Sequence, residues 1–251
     1  MRLLIISDVH ANTWALWAVE ADAGPVDHIL FAGDAVNYGP DPSRSIQWLQ
    51  QHEVIGVRGN HDHAVAFSLD PKASPAKQPL ALAMRDWTRD QLDPTQTGWL
   101  LKLPRTLTCH VGGQRVALVH AAPGNPLYDY RLTPNCDERL LNELVGAVDA
   151  DLLIVGHTHL PIVRSHGSMQ IVNPGSVGQP LDGDPRAAYA IWEDGRVTLR
   201  RVEYDRLEVL AALSSLPLPR HMIDDLARTL ERGSIGNPAG TACENHKRTK
   251  I

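Results

Sequence analysis

Asp8-Val9-His10, Gly33-Asp34, Gly59-Asn60-His61-Asp62, His120 and Gly156-His157-Thr158-His159 are the segments of this chain whose residue types and spacing could do chemistry. Asp-x-His alone is a weak signal, because 20 Asp and 12 His in 251 residues give about one such triplet by chance. Gly-His-x-His is much rarer, with about 0.04 occurrences expected, and all five segments run in one ordered series behind short aliphatic runs. Such a set suits metal binding. Two divalent cations held about 3.5 to 4 Å apart repel, so a pair needs a shared anion, and the lone Asp34 after a glycine is the natural bridging carboxylate. Asp8 and His10 can reach one cation if the backbone turns sharply between them. His157 and His159 have the same spacing and can each serve a different ion, while Asn60 offers a neutral carbonyl oxygen and His120 a further nitrogen. Nitrogen and oxygen ligands without thiolate fit manganese, iron, cobalt, nickel or zinc, and argue against magnesium or calcium alone.

The elements that must position these residues follow from the hydropathy pattern. Leu3 to Ile6, His28 to Phe31 and Val54 to Val57 read as buried strands. Helix-like stretches from Trp14 to Glu20 and from Pro42 to Gln51 lie between them, the second opened by Asp41 as N-cap with Pro42 behind it. This is the β-α-β-α-β rhythm of an α/β protein. Asp8, Asp34 and Asn60 are 26 residues apart in each step, which places them at equivalent strand ends. A helical insertion over about 64–104 follows, its tryptophans Trp87 and Trp99 at core spacing. Strands are expected over Arg105 to Val111 and Arg115 to Val119, a helix near Asp137 to Val145, and strands over Leu152 to Val155 and Val163 to Val172. Ala188 to Glu193 and Arg196 to Glu203, joined by Asp194-Gly195, imply a second, antiparallel sheet. The resulting division is a catalytic domain over 1–204, a helical extension over 205–232 and an unstructured tail over 233–251.

Composition narrows the setting. A formal charge of −5 gives no global attraction to nucleic acid or anionic membrane, so any anionic substrate must meet local cations. Three widely spaced cysteines without a CxxC pair indicate reduced thiols. With no signal-like or membrane-spanning apolar run, a cytoplasmic location is expected, without membrane or sequence-specific nucleic-acid binding.

Taken together, the five motifs resemble those of the calcineurin-like metallophosphoesterases, from the first residues to about Tyr204. That resemblance implies a four-layer α/β/β/α sandwich. It implies a first metal held by Asp8, His10, Asp34 and His159, and a second held by Asp34, Asn60, His120 and His157; spacing alone does not divide the ligands. Manganese is the favoured ion. The expected reaction is hydrolysis of a phosphate ester by a hydroxide bridging the two ions, with His61 as general acid and Asp62 as a weaker candidate to orient it. Arg58-Gly-Asn-His also resembles the segment whose arginine contacts phosphate in the Ser/Thr protein phosphatases, against which stands simple structural pairing of Arg58. Asn12 fits either phosphate contact or a helix cap, with the cap favoured.

The chain departs from the protein-phosphatase pattern at Asn37-Tyr38, where that branch has Asp-Arg. The Gly39-Pro40 and Asn173-Pro174-Gly175-Ser176 segments lie closer to the small prokaryotic phosphodiesterases and the diadenosine-tetraphosphatase-like branch. That branch commonly carries Ser-Pro-Arg after the His120 position. Here the chain reads Ala122-Pro123-Gly124, so one cation is missing, with Arg131 or Arg186 as conceivable substitutes. Tyr38, Tyr128, Tyr130 and Trp48 could wall a nucleobase or simply pack. The expected substrate is therefore a small phosphodiester or nucleotide-like ester, with a phosphomonoester, or a catalytically silent metal-binding scaffold, as the alternatives; oligomeric state is not readable.

Overall fold

The computed structural model describes residues 1–234. From residue 235 on, the segment expected to be an unstructured tail lies outside the described residues, and with it Cys243 and His246. Strands β1 (Arg2–Ile6), β2 (His28–Phe31) and β3 (Ile55–Gly56) pair in parallel, so their C-terminal ends share one edge of the sheet. Two crossover helices connect them. In α1 (Thr13–Ala23) the Asn12 side chain accepts from the Ala15 N–H, and in α2 (Pro42–Gln51) Asp41 accepts from the Arg44 N–H, with Pro42 supplying a preset φ at the first turn.

The hairpin of β9 (Ala187–Glu193) and β10 (Arg196–Val202) does not begin a separate antiparallel sheet, contrary to expectation. It extends the first sheet through antiparallel pairing of β9 with β1, giving the order β10-β9-β1-β2-β3. The physical reason is burial: six of the seven residues of β9 are buried, Tyr189 and Ile191 against the helical layer and Ala190 and Trp192 against the second sheet, which a strand of the first sheet can do. The second sheet is mixed rather than antiparallel, with β4 (Thr106–Val111), β5 (Gln114–Val119), β6 (Leu152–Ile154), β7 (Ile162–His166) and β8 (Met169–Asn173) in the order β4-β5-β6-β8-β7. The run Val163 to Val172, expected as one strand, is a hairpin that reverses at Gly167, whose φ of +58° suits glycine.

Alternation along the strands builds the layers. Leu3, Ile5 and Leu30 face Val116, Leu118, Leu152 and Ile154 across the space between the sheets. Leu4, Ile6 and Phe31 point the other way, onto α1, α2 and a helical layer. Leu153 and Ile171 on the far side of the second sheet pack under α6 (Glu138–Val145). This is the four-layer α/β/β/α sandwich. The insertion contributes α3 (Asn60–Phe67), α4 (Gln78–Gln91) and α5 (Pro94–Lys102), and Met84 and Leu100 join the helical core. The terminal helices α7 (Arg206–Ser214) and α8 (Arg220–Arg232) place Val209, Leu213, Leu226 and Leu230 in that same core. Among the described residues, no helix is long and apolar enough to cross a membrane.

Candidate metal centre and cleft

The loops that leave β1, β2 and β6 turn immediately after their strands. Asp8, His10, Ala11, Asp34, Asn37, Tyr38, His157 and His159 all have positive φ, eight of the twelve such non-glycine residues described. Left-handed backbone costs an L-residue about 1–2 kcal/mol, and its concentration here is strain held at one place. It also gives the sharp turn through which residues two apart converge. In each alternating pair both members are left-handed, and Asp8 Oδ1 lies 3.9 Å from His10 Nε2. Close packing of the loops excludes side chains at several glycines, Gly59 and Gly156 among them. A Cβ on Gly59 would land on the Asp34 carboxylate, and one on Gly156 would land on Ser7 Oγ.

All seven residues expected to bind metal are buried and come together. His159 Nε2 is 3.2 Å from both Asp8 Oδ1 and His10 Nε2. His120 Nε2 is 3.2 Å from Asp34 Oδ2, 3.1 Å from Asn60 Oδ1 and 3.2 Å from His157 Nδ1. Asp34 Oδ2 also lies 3.9 Å from His10 Nε2, so it stands between the two groups. Asp8-His10-His159 and Asp8-Asp34-His120 each form a compact triad.

The other atoms of these side chains are already committed. His10 Nδ1 bonds Val36 O, His120 Nδ1 bonds Ala32 O and His159 Nδ1 bonds Gln179 O, each ring giving its N–H to a carbonyl and turning a bare nitrogen inward. Asp34 Oδ1 accepts from the His61 N–H, and Asp8 Oδ2 from Ser7 Oγ and the His157 N–H. What faces inward is therefore a set of acceptors, with lone pair against lone pair, and Asp8 Oδ1 is buried without a hydrogen bond. Such a set is stable only around positive charge, and its N/O composition fits divalent transition metals. In the chain alone, protons supply that charge. Burial opposes a charged imidazole, yet Asp34 and Asp8 lift His120 to about 9; His10, by contrast, is driven down to about 3 by burial and by His159. Against the opposing effect of burial, His159 and His120 hold Asp8 at about 2.

His61 opens α3 beside Asn60, and its buried ring lines the cleft above the cluster. Its orienting partner is not Asp62. The Asp62 carboxylate accepts backbone N–H groups from Gly59, Asp34, Ala35 and Val36, and so ties the β2 and β3 loops together. The side chain against His61 is Asn37, whose Nδ2 is 2.6 Å from His61 Nδ1. Sequence reasoning missed Asn37; its place three residues after Asp34 is the signal that could have found it.

Phosphate contact by Arg58 is not what the structure shows, whereas Asn12 takes the favoured cap. Arg58 stacks its guanidinium on Phe67 and donates to Leu101 O, and it does not line the cleft. Asn12 is a helix cap whose amide also donates to Gly178 O. Arg131 and Arg186 pair with Asp129 and Glu143, and with Asp184, away from the cleft lining. Trp48 is buried with its indole N–H on Glu20, whereas Tyr38 and Tyr130 do line the cleft. The cleft has a volume of ≈ 500 Å³, and its outer wall includes Lys72, Lys77 and Leu80 of the insertion and Leu226 of α8.

A four-layer sandwich whose loops gather buried Asp, His and Asn acceptors defines a metallophosphoesterase. The sequence model of the calcineurin-like phosphoesterase superfamily domain matches residues 1–194, and the chain belongs to that superfamily. A metallophosphoesterase of Sphaerobacter thermophilus is 36% identical in sequence and superimposes with a TM-score of 0.78, over 93% of this chain and 99% of the other. An uncharacterised protein of Methanocaldococcus jannaschii is 30% identical over 223 residues, 81% of this chain and 88% of its own length. The Escherichia coli phosphodiesterase YfcE is 26% identical over 210 residues, 77% of this chain and 88% of its own. Membership and the cluster imply divalent metal ions and small phosphate-ester substrates.

Proposed function

We propose that the chain is a dinuclear phosphodiesterase acting on small, nucleotide-like esters, with Asp34 as the shared ligand and His61 as general acid. The observation that carries this reading is the inward-facing acceptor set with Asp34 Oδ2 between its two halves. Asp8, His10, Asp34 and His159 would hold one ion, and Asp34, Asn60, His120 and His157 the other. When bound, a pair of divalent cations holds phosphate oxygens and makes hydroxide available from water near neutral pH.

The chain's own residues account for the rest. His61 is positioned to hand a proton to the leaving oxygen. Its Nδ1 takes a hydrogen bond from the Asn37 amide, which places the ring proton on Nε2. Asn37 Oδ1 is buried without a partner, so rotation of that amide also provides an acceptor for Nδ1–H once the ring is protonated. One neutral side chain thus accommodates both states of the acid. Tyr38 packs edge-on against the His61 ring at 4.7 Å and limits its movement.

Diester preference is supported by what the cleft lacks near the cluster. A monoester dianion gains from an arginine fork on its extra charge, but Arg58 is turned away and residues 122–124 offer none. The YfcE relative, named a phosphodiesterase, agrees. Metal-stripped protein, assayed with and without manganese, should hydrolyse bis-p-nitrophenyl phosphate faster than p-nitrophenyl phosphate only when manganese is added. Asp34→Ala should abolish both the turnover and the binding of two ions. Faster monoester hydrolysis would overturn the diester assignment, and no turnover with manganese, nickel, cobalt or zinc would overturn the enzyme reading.

A further inference from the structure

Lysine is scarce in this chain. Only Lys72, Lys77 and Lys102 fall among residues 1–234, and the first two line the cleft. The single acidic residue in that lining is Asp34, at the cluster itself. Among the described residues neither lysine forms an ion pair, unlike Arg131 and Arg186. With metal bound the cleft would be cationic at its inner end, and Lys72 and Lys77 make it cationic at its rim, with Leu80, Leu181 and Tyr130 lining the wall around them.

The loop bearing Lys72 is built rather than loose. Asn60, a ligand candidate, donates its side-chain N–H to Pro71 O at 3.0 Å and so fastens the loop to the metal centre. Asp70 Oδ1 accepts from the Lys72 N–H and from Gln78 Nε2, which engages the nearest carboxylate on the loop and holds Lys72 at a φ of +54°. Lys72 Nζ lies 4.4 Å from the centre of the Tyr128 ring, a cation–π contact that keeps the ammonium in place without neutralising it. Left-handed backbone at a lysine is uncommon and costs free energy. Here it accompanies a fixed ammonium at a substrate cleft, with Asp70 near enough to feel its charge but not ion-paired to it.

We infer that Lys72 and Lys77 form a second anion subsite, and that the preferred substrate is a phosphate ester carrying a further phosphate group remote from the scissile one. This rests on the phosphoesterase reading and adds a specificity to it. It also supplies the cations missing after His120: the insertion delivers them, with Lys72 set against Tyr128 of the loop that follows His120. Two unpaired ammonium groups making charge-assisted hydrogen bonds give a preference of about tenfold or more.

The test compares two chromogenic esters that differ only in the second anion, the p-nitrophenyl ester of thymidine 5′-phosphate with and without a 3′-phosphate. With manganese-loaded protein, the doubly phosphorylated ester should show a KM about tenfold lower. K72A/K77A should erase that difference by raising its KM, leave kcat for both within about twofold, and leave the singly phosphorylated ester unchanged. K72R/K77R should restore the preference. Calorimetric binding of thymidine 3′,5′-bisphosphate against thymidine 5′-phosphate gives a readout independent of turnover, with the same tenfold preference and the same loss. Equal KM for the two esters in the unmodified protein, or an equal loss on both in K72A/K77A, overturns the subsite while leaving the phosphoesterase intact. If neither ester is turned over, the enzyme reading fails, and the calorimetric preference alone decides the subsite.

Discussion

At the scale of single residues, the buried polar atoms here are arranged for a charge that they do not themselves carry. Three histidines spend one nitrogen on a backbone carbonyl and aim the other inward, and two carboxylates spend one oxygen each on N–H or O–H donors and leave the other facing inward. His61 differs from these three, and from His157, in that its Nδ1 accepts from a side-chain amide N–H, that of Asn37. That difference separates a proton donor from the ligands and leads to a graded expectation. His61→Ala should slow an alkyl diester by about 10²–10⁴-fold, the usual range for a lost general acid, and bis-p-nitrophenyl phosphate, whose leaving group needs little protonation, by less than about tenfold. Asn37→Ala should reproduce the same alkyl-over-aryl pattern at smaller amplitude, with metal content unchanged. Measuring kcat for both ester types in both variants checks this, and equal losses on alkyl and aryl esters would remove His61 from the proton transfer.

The elements that carry these residues were legible where a local rule governs them. Asp41-Pro42 marked the start of α2, and the 26-residue spacing placed Asp8, Asp34 and Asn60 at neighbouring strand ends, as the parallel β1-β2-β3 pairing shows. Partnering between distant segments was not legible. The hairpin β9-β10 looks alike whether it starts a sheet or extends one, and only its pairing with β1, with β9 buried between the helical layer and the second sheet, decides it. The directions of side chains were equally hidden: Arg58 sits one residue from the Gly59 turn yet points at Phe67 and Leu101, and Asp62 adjoins His61 yet serves four backbone N–H groups. Lys72 and Lys77 went unread because nothing in an insertion's sequence tells which face of the cleft it reaches. The Gly59 turn tests the element-level claim that loop packing sets ligand geometry. Its φ of −85° is open to any residue, so Gly59→Ala acts only by driving a Cβ into the Asp34 carboxylate. It should cost about 1–3 kcal/mol of stability, as overpacking does, and reduce bound metal to one ion or fewer per chain. Gly98→Ala, in α5 with nothing near its Cβ, should instead stabilise by up to about 1 kcal/mol with full metal content. Urea unfolding and metal analysis of the pair give the answer, and a Gly59→Ala protein that keeps two ions would refute the packing argument.

For the whole molecule, the proposed ligands fall on both sides of the sandwich. Asp8, His10 and Asp34 follow strands β1 and β2 of the first sheet and Asn60 follows β3, whereas His120 follows β5 and His157 and His159 follow β6 of the second. The sheets meet elsewhere through the aliphatic layer of Leu3, Ile5, Leu30, Val116, Leu118 and Ile154, which is non-directional. At the cluster end, carboxylates of one sheet face imidazoles of the other, and bound ions would tie the two sheets by directional bonds that the unfolded chain lacks. A ligand bound only by the native state adds about 2.7 kcal/mol when present at a hundred times its dissociation constant. For a chain near 250 residues, 1 kcal/mol moves Tm by about 2–4 °C, so manganese at that excess should raise Tm by about 5–10 °C over chelator-treated protein. Asp34→Ala, lacking the shared ligand, should show little of that rise, while K72A/K77A, altered only at the rim of the cleft, should show all of it. Scanning calorimetry on the three proteins with and without manganese separates the contributions. An unmodified protein whose Tm ignores the metal would mean that the two sheets are fully organised by their aliphatic layer, and that the convergence of ligands at its end does not hold them together.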